Sequence, residues 1–531
     1  MNDPAACCGV YCEYSMKRSG DKIMRYLPNG TQMSAADRHT IENVGIPSLV
    51  LMERAALKTV ETMHIHGIDT SRALVVCGSG NNGGDGFAVA RLLTEEGTQA
   101  HILFAGREAS MSRECGVQKR IAENLGIRIF TEIPEEEYTV IIDAVFGVGL
   151  SREISGKYAD IIEWMNAREC EKVAVDIPSG VSAASGSILG TAFRADLTVA
   201  MACVKAGCEM YPGKYYAGDT VAVPIGIDSE IFASDEEVCI TYDRADIPGL
   251  LPERNPDSHK GSYGKVLMIT GSSGMAGAAY LSAKAAYTVG AGLVQIYTAQ
   301  ENRSILQELL PEAIISCYQE YDDGQLTHLL EWADVVCIGC GLGTGEVSEK
   351  LLEGVLSKVR VPCIIDADGL NLLSRKMNLL EQIQAPVILT PHMKEMSRLT
   401  GISVTEIADR RMDIVREFTD RYPAVCVLKD SRTIVKSKGN HPYLNLAGNS
   451  GMAKAGAGDV LAGVITGLSA QGMSAYESAA LGVYLHACGG DEAWEEKGSY
   501  SMLARDLIAG IGRCMKNNEE NYRRDTENET A

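Results

Sequence analysis

The segment Ala73-Leu-Val-Val-Cys-Gly-Ser-Gly-Asn-Asn-Gly-Gly-Asp-Gly86 sets the architecture of the first half of the chain. Ala73–Cys77 is a short apolar run of β character, a glycine-rich turn follows, and Phe87–Glu96 resumes with helical spacing. The same alternation recurs at Ala100–Phe104, Val140–Val145, Lys172–Asp176 and Leu197–Ala202. Strand, loop and helix in succession predict a parallel, doubly wound α/β sheet, in which ligands sit at the carboxyl ends of the strands. Upstream, residues 33–66 have a helical pattern, with Ser34 as the expected cap and Leu49–Met63 as apolar sequence at helical spacing.

A second α/β pattern begins at Lys265–Thr270 and continues through Leu293–Tyr297, Val335–Ile338, Cys363–Ile365, Val387–Leu389 and Val425–Leu428. Between the halves, Ile231–Ser258 breaks the rhythm with Asp235-Glu-Glu, Pro248, Pro252 and Pro256, which reads as an interdomain connection. The chain closes with helical sequence from about Asp459 to Ala493 and again near Leu503–Met515. The expected organisation is therefore an extension over 1–23, with Met24 as the working start, and a first domain over 24–235. A linker over 236–258, a second domain over 259–515 and a frayed polar tail over 516–531 complete it.

With 531 residues, 46% of them hydrophobic, the chain has material for two large cores. Its 70 acidic against 49 basic residues give a net charge of −21, which repels a phosphate backbone and argues against a nucleic-acid partner. No apolar run approaches the roughly 20 residues that cross a bilayer, and the first residues lack a signal-peptide core. A soluble, cytoplasmic protein without a membrane partner is expected. The 16 cysteines are scattered through apolar stretches rather than framed as in a small secreted domain. Cys337 and Cys340 form a lone C-x-x-C without a second pair, so no metal–thiolate site is expected.

The turn after Cys77 differs from the usual dinucleotide fingerprint, because Asn81, Asn82 and Asp85 interrupt the glycines, and it lacks the lysine of a phosphate-binding Walker loop. Two further strand ends carry Asp143 and Asp176, in Asp143-Ala-Val-Phe-Gly and Asp176-Ile-Pro-Ser-Gly. A single Asp there is often only a turn former. Together, Asn82, Asp143 and Ser179 offer hard oxygen ligands to a cation, while Asp176 stays free for proton transfer. In the second half, Gly456-Ala-Gly-Asp459 stands before a helix, where free N–H groups suit a transferring phosphoryl group and Asp459 can accept a hydroxyl proton. The bland alternative is an Asp cap after a glycine loop. His392, after Thr390-Pro391, reads more readily as a turn or core residue than as a catalytic group.

Asn81-Asn-Gly-Gly-Asp85, Asp143-x-x-Phe-Gly, Asp176-Ile-Pro-Ser-Gly and Thr40-Ile-Glu-Asn-Val-Gly-Ile-Pro-Ser48 resemble the NAD(P)H-hydrate epimerase domain, over about residues 24–230. That resemblance implies a Rossmann-like domain. It also implies that Asn81, Asn82, Gly83, Gly84 and Asp85, with Gly147, Val148, Gly149, Leu150, Ser151, Arg152 and Glu153, line a hydrated dinucleotide. Asn82, Asp143 and Ser179 would then hold potassium and Asp176 would face the hydrated ring.

Gly339-Cys-Gly-Leu-Gly343, Asp366-Ala-Asp-Gly-Leu-Asn371, Thr390-Pro-His-Met-Lys-Glu395 and Gly448–Gly463 resemble the ribokinase-like NAD(P)H-hydrate dehydratase family, over about residues 255–515. By that resemblance Ala278, Gly341 and His392 contact the hydrate and Asp459 acts at its hydroxyl. Lys429, Asp430, Ser431, Arg432, Thr433 and Gly458 would contact the adenosine nucleotide. Two departures stand out: Lys429-Asp-Ser-Arg-Thr433 where many members have Lys-Gly-Ala-Gly-Thr, and Lys454-Ala-Gly-Ala in place of a more glycine-rich stretch. Both resemblances together imply repair of NADH and NADPH hydrates: epimerisation of the R and S forms, then dehydration of the S form. ADP is the implied phosphoryl donor and Mg²⁺ the charge neutraliser, and a homo-oligomer is compatible with the pattern. Two rivals stay open on the residues alone. One is a hydroxyl kinase fused to an unrelated domain; the other reuses the first domain as a binding and dimerisation module, as in mRNA-decapping scaffolds.

Overall fold

The computed structural model describes residues 24–530, with side chains through residue 517. The extension expected over 1–23 lies outside the described residues. Strand β1 (Arg25–Leu27) comes first among the described residues but does not join the first sheet. That sheet consists of β2 (Arg72–Cys77), β3 (Gln99–Phe104), β4 (Ile129–Phe130), β5 (Val140–Ala144), β6 (Glu171–Val175), β7 (Leu197–Met201) and β8 (Asp219–Val223). The spatial order is β4-β3-β2-β5-β6-β7-β8, and every pairing is parallel. Order therefore reverses between β2 and β5, which opens a crevice at their carboxyl ends. The five central strands lie where the sequence places them, because a parallel strand covered on both faces is a continuous apolar run. The edge strands β4 and β8 escape that signal: β4 has two half-buried residues and β8 is mostly exposed or half-buried.

Local helix starts differ from expectation. The first helix, Gly30–His39, is capped by Asn29 in a box with Gln32. Ser34 lies inside it and back-bonds to Gly30 O at 2.8 Å, so it is not the cap. The helix after β2 runs Asn81–Glu95, so Asn81–Gly86 is its opening rather than a loop before it. Close packing explains the glycines: a Cβ on Gly83 would lie 2.0 Å from Gly78 O, and one on Gly86 would lie 2.5 Å from Ala144 Cβ.

Among the described residues the second sheet has eleven strands. They are β1, β9 (Cys239–Thr241), β10 (Lys265–Ile269), β11 (Leu293–Ala299), β12 (Ile314–Tyr318), β13 (Val335–Ile338) and β14 (Cys363–Ile365). β15 (Val387–Leu389), β16 (Ala424–Leu428), β17 (Ile434–Lys436) and β18 (Tyr443–Leu444) complete it. Their order is β1-β9-β18-β17-β16-β15-β14-β13-β10-β11-β12, parallel from β16 to β12. The linker expected over 236–258 is thus not a plain tether, since β9 within it pairs with both β1 and β18. Residues 25–27, expected in the first domain, extend the second sheet. Three-residue edge strands carry too little alternation to be read from sequence; here an ion pair, Arg25 Nε–Asp243 Oδ2 at 2.6 Å, helps to pin the pairing.

Helices Ala457–Ala470, Ala475–Ser501 and Ala504–Thr530 close the fold. The helical stretch expected over 459–493 is broken at Gly472, where φ is +90°, and Ser474 caps the next helix with Glu477. The expected frayed tail is helical in backbone through Thr530. No helix among the described residues is long and apolar enough to cross a membrane.

Candidate active sites

A cavity of about 690 Å³ lies at the carboxyl ends of β2, β5 and β6, where strand order reverses. Asn81, Asn82, Asp85, the run Val145–Arg152 and Asp176 line it, together with Met33, Asp37, Leu51 and Ile225. Gly83, Gly84 and Glu153 are not among the lining residues. Gly83 abuts Gly78 O and Gly84 abuts the Met52 side chain, so both positions need glycine for the helix to seat closely. The helix start at Asn81 has no side-chain cap, which leaves its N–H groups free for a phosphate.

Asp143 at the end of β5 is 0% exposed. Its carboxylate accepts from Ser179 N and Ser179 Oγ, each at 2.7 Å, and from Val145 N at 3.1 Å. Burial nevertheless lifts its pKa to about 6, against the pull of those donors. Asn82 lies against Gly147, and both polar atoms of its side-chain amide are buried without a partner. Next to Gly147, Phe146 N donates to Ser179 Oγ at 2.8 Å. An orphaned amide oxygen near a buried carboxylate and a hydroxyl fits a monovalent cation: oxygen donors of low total charge.

Asp176 follows β6 with φ +70°, a left-handed backbone in a non-glycine residue. Its Oδ1 accepts from Met201 N at 3.1 Å and from the ammonium of Lys205, a fully buried side chain. Two further carboxyls share the cavity. Burial, then Asp176 and Asp37, hold Asp85 well above the usual carboxylate range; burial and then Asp176 raise Asp37. Lys205 and Asp37 are missing from the site as read in the sequence. The available signal was a lone lysine in the apolar run Val204-Lys-Ala206.

The second site gathers strand ends from the other sheet. Asp366, after β14, is 1% exposed. Its Oδ1 accepts from Lys429 Nζ and from Thr390 Oγ1, both at 2.6 Å. Cys340 Sγ faces Oδ2 at 3.7 Å. Ligand atoms of Cys340, Asp366 and Asp459 lie within 4.8 Å of one another. Asp459 sits in the first turn of its helix, whose N-cap is Gly456 with φ +90°, so it does not cap. Burial, then Asp366, push its pKa up to about 6. A Cβ on Gly458 would lie 3.5 Å from Lys429 Nζ, which places the glycine loop against the lysine. Ala278 and Gly341 also meet, 2.7 Å from Ala278 Cβ to a Cβ built on Gly341.

The remaining residues of the second set divide. His392 pairs with Lys429 in an isolated bridge, but its Nδ1 accepts from Lys394 N and Glu395 N and caps Met393–Thr400. Burial and then Lys429 lower its pKa, which favours the neutral ring. Ser431 is exposed, and Thr433 is buried with its hydroxyl donating to Asp430 O at 3.1 Å. Arg432 departs from expectation: its donors go to Glu209 O at 2.9 Å and Leu446 O at 2.8 Å, and its guanidinium sits over the Tyr211 ring. Asp430 pairs with Arg411, which also donates to Tyr211 O. Both charged residues that depart from the common loop pattern therefore face the seam with the first domain. His486 carries no motif in the sequence; it is buried near Ala457 and Lys429, with Nε2 unpartnered and a pKa lowered to about 4 by burial.

Comparison with known proteins follows the same division. Residues 48–207 match the family described as YjeF-related protein N-terminus, and residues 266–513 match NAD(P)H-hydrate dehydratase. The chain is 35% identical to the bifunctional NAD(P)H-hydrate repair enzyme Nnr of Moorella thermoacetica, over 93% of this chain and 97% of that protein. Against the Escherichia coli protein of the same name it is 33% identical, with 95% and 96% covered. Among solved structures, the Bacillus subtilis ADP/ATP-dependent NAD(P)H-hydrate dehydratase co-crystallised with ATP/Mg²⁺ is 29% identical. It covers 54% of this chain and 99% of that one, with a TM-score of 0.47. Two α/β domains, each with its own group of polar residues at the strand ends, and relatives alike over nearly their whole length leave one conclusion: the chain belongs to the family of bifunctional NAD(P)H-hydrate repair enzymes.

Proposed function

We propose that Asp176 and Asp459 are the proton-transfer groups of two successive steps on hydrated NADH and NADPH. In the hydrate, C6 bears a hydroxyl beside the ring nitrogen. Removal of that hydroxyl proton lets the N–C6 bond open to an aldehyde, and reclosure from either face gives either epimer. Asp176 stands in the cavity with one carboxylate oxygen unbonded, suited to take and return the proton. The uncapped helix start at Asn81 and the Arg152 side chain suit the dinucleotide phosphates. Asn82, Asp143 and Ser179 would hold potassium, whose charge would stabilise the site electrostatically.

For dehydration, hydroxide leaves poorly and a phosphate ester leaves well. Asp459 accepts the hydroxyl proton as the terminal phosphoryl of ADP moves to that oxygen, giving AMP. Phosphate then departs from C6 as C5 loses a proton, regenerating the reduced cofactor. Lys429 and the N–H groups of Gly456 and Gly458 would meet the transferring group. Mg²⁺ fits beside Asp366 and Asp459 if it arrives on the nucleotide phosphates; the Cys340 thiol is the one donor there unsuited to a hard cation. It would neutralise charge on those phosphates.

The observation that carries this reading is the gathering of Asp366, Lys429, Gly458 and Asp459 in the second domain, with a cavity around Asp176 in the first. The test is to incubate the full chain with mixed hydrate epimers and ADP. Full recovery of reduced-nicotinamide absorbance, with release of AMP and inorganic phosphate, is expected. A stable phosphorylated product would favour the hydroxyl-kinase reading instead, and recovery stopping at the S fraction would leave the first domain a binding module.

A further inference from the structure

We infer that Lys205 is a positioning residue for epimerisation, fixing Asp176 so that a single carboxylate oxygen faces the hydrated ring. The inference rests on Asp176 being the proton-transfer group.

Lys205 follows β7, at the start of the short helical turn Ala206–Glu209, and is 0% exposed. A lysine removed from water needs a partner, and it has two: Nζ donates to Asp176 Oδ1 and to Met201 O at 3.0 Å. Met201 N donates to that same Oδ1 at 3.1 Å. One carboxylate oxygen is thus fully engaged from behind, while among the described residues no hydrogen bond reaches Oδ2. Asp176 lines the cavity and Lys205 does not, so the lysine can act on substrate only through the aspartate.

Two features call for such a brace. The left-handed backbone at Asp176, φ +70°, is not one a non-glycine residue adopts without support from its surroundings. The groups facing Asp176 across the cavity are carboxyls, Asp37 from helix Gly30–His39 and Asp85 from helix Asn81–Glu95. On its own side, Glu209 is occupied with Thr220 Oγ1 at 2.6 Å and with Lys214. Lys205 is the cation bonded to Asp176, and it offsets the acidic surround. Without it, Oδ1 would keep only the Met201 N–H and the carboxylate would be free to rotate.

The experiment uses the full chain carrying Lys205→Met. Epimerisation kcat and KM are measured, and thermal unfolding of the same preparation, followed by circular dichroism, reports whether the first domain is folded. We expect kcat to fall about 10–100-fold, the scale of losing a supporting partner, with KM changed less than about threefold. A kcat within twofold of the parent would overturn the inference. Should the unfolding transition of the first domain be lost, the measurement passes to Lys205→Met combined with Asp176→Asn, which leaves no buried charge unpaired. Its residual epimerisation should match that of Asp176→Asn alone within twofold; a further tenfold loss would show that Lys205 acts independently of Asp176. Failure of the underlying assignment has its own signature: Asp176→Asn alone would retain more than half of the parent rate.

Discussion

Replacing Asp459 by Asn should lower activity and raise stability in the same molecule. Asp459 stands in the first turn after the Gly456 cap, makes no capping bond, and faces Asp366 and Cys340. Asn preserves size and leaves the Asp366–Lys429 pair intact, but it cannot accept the hydroxyl proton. Loss of a general base costs about 10²–10⁴-fold, equivalent to roughly 3–5.5 kcal/mol of barrier. Burial has raised this carboxyl from 3.8 to about 6. The folded chain therefore keeps a proton between those values that the unfolded chain has lost, so stability falls as pH rises through that window. At neutral pH the charged form is held at a cost of roughly 3 kcal/mol before screening, and partial solvent access reduces this to about 1–2 kcal/mol. Asn avoids that cost. The assay is the ratio of dehydration to epimerisation in one preparation, with melting temperatures at pH 5 and 8. The parent's dehydration should decline below about pH 6, and the variant should melt higher than the parent at pH 8, with a smaller gap at pH 5. Dehydration above half of the parent value would refute Asp459 as base. Equal gaps at both pH values would refute the argument from a buried charge.

Other outcomes follow from the same geometry. Exchange of potassium for a bulky organic cation should slow epimerisation and spare dehydration, and the potassium requirement should rise as pH falls through about 6 and Asp143 takes up its proton; rates indifferent to the cation would remove Asn82, Asp143 and Ser179 from that role. Gly83→Ala should destabilise the first domain by roughly 2–4 kcal/mol, because its Cβ would lie 2.0 Å from Gly78 O, and unchanged thermal unfolding would contradict the packing. A fragment over 236–531 retains β9 and should dehydrate S epimer while melting below the full chain, since β1 and the Arg432–Glu209 bond are gone. If that fragment does not fold while the full chain does, the second domain depends on the first. Arg432→Ala in the full chain should raise KM for ADP more than kcat falls, by loosening the Lys429–Thr433 loop, and an unchanged KM would show that the seam does not support that loop.

The central parallel strands are legible in the sequence because burial on both faces demands continuous apolar runs, and the loops between them carry glycine and aspartate. That same punctuation marks Asp143, Asp176, Asp366, Lys429 and Asp459 as residues of strand ends and helix starts. Local sequence also carries the resemblance to the two families, since those motifs are contiguous. What it cannot carry is anything that depends on distant segments meeting. Gly83 and Gly84 read as ligand contacts from their motif, but only the fold shows that a side chain there would meet Gly78 or Met52. Arg432 reads as a phosphate contact, yet its donors are taken by carbonyls of Glu209 and Leu446, 223 and 14 residues away in sequence. β1 and β9 read as first domain and linker, yet they pair with each other at the edge of the second sheet, because three-residue strands are specified by their partners rather than by their own pattern. Lys205 is invisible as a site residue for the same reason: only the folded chain brings its ammonium onto Asp176, 29 positions earlier, in a place closed to water.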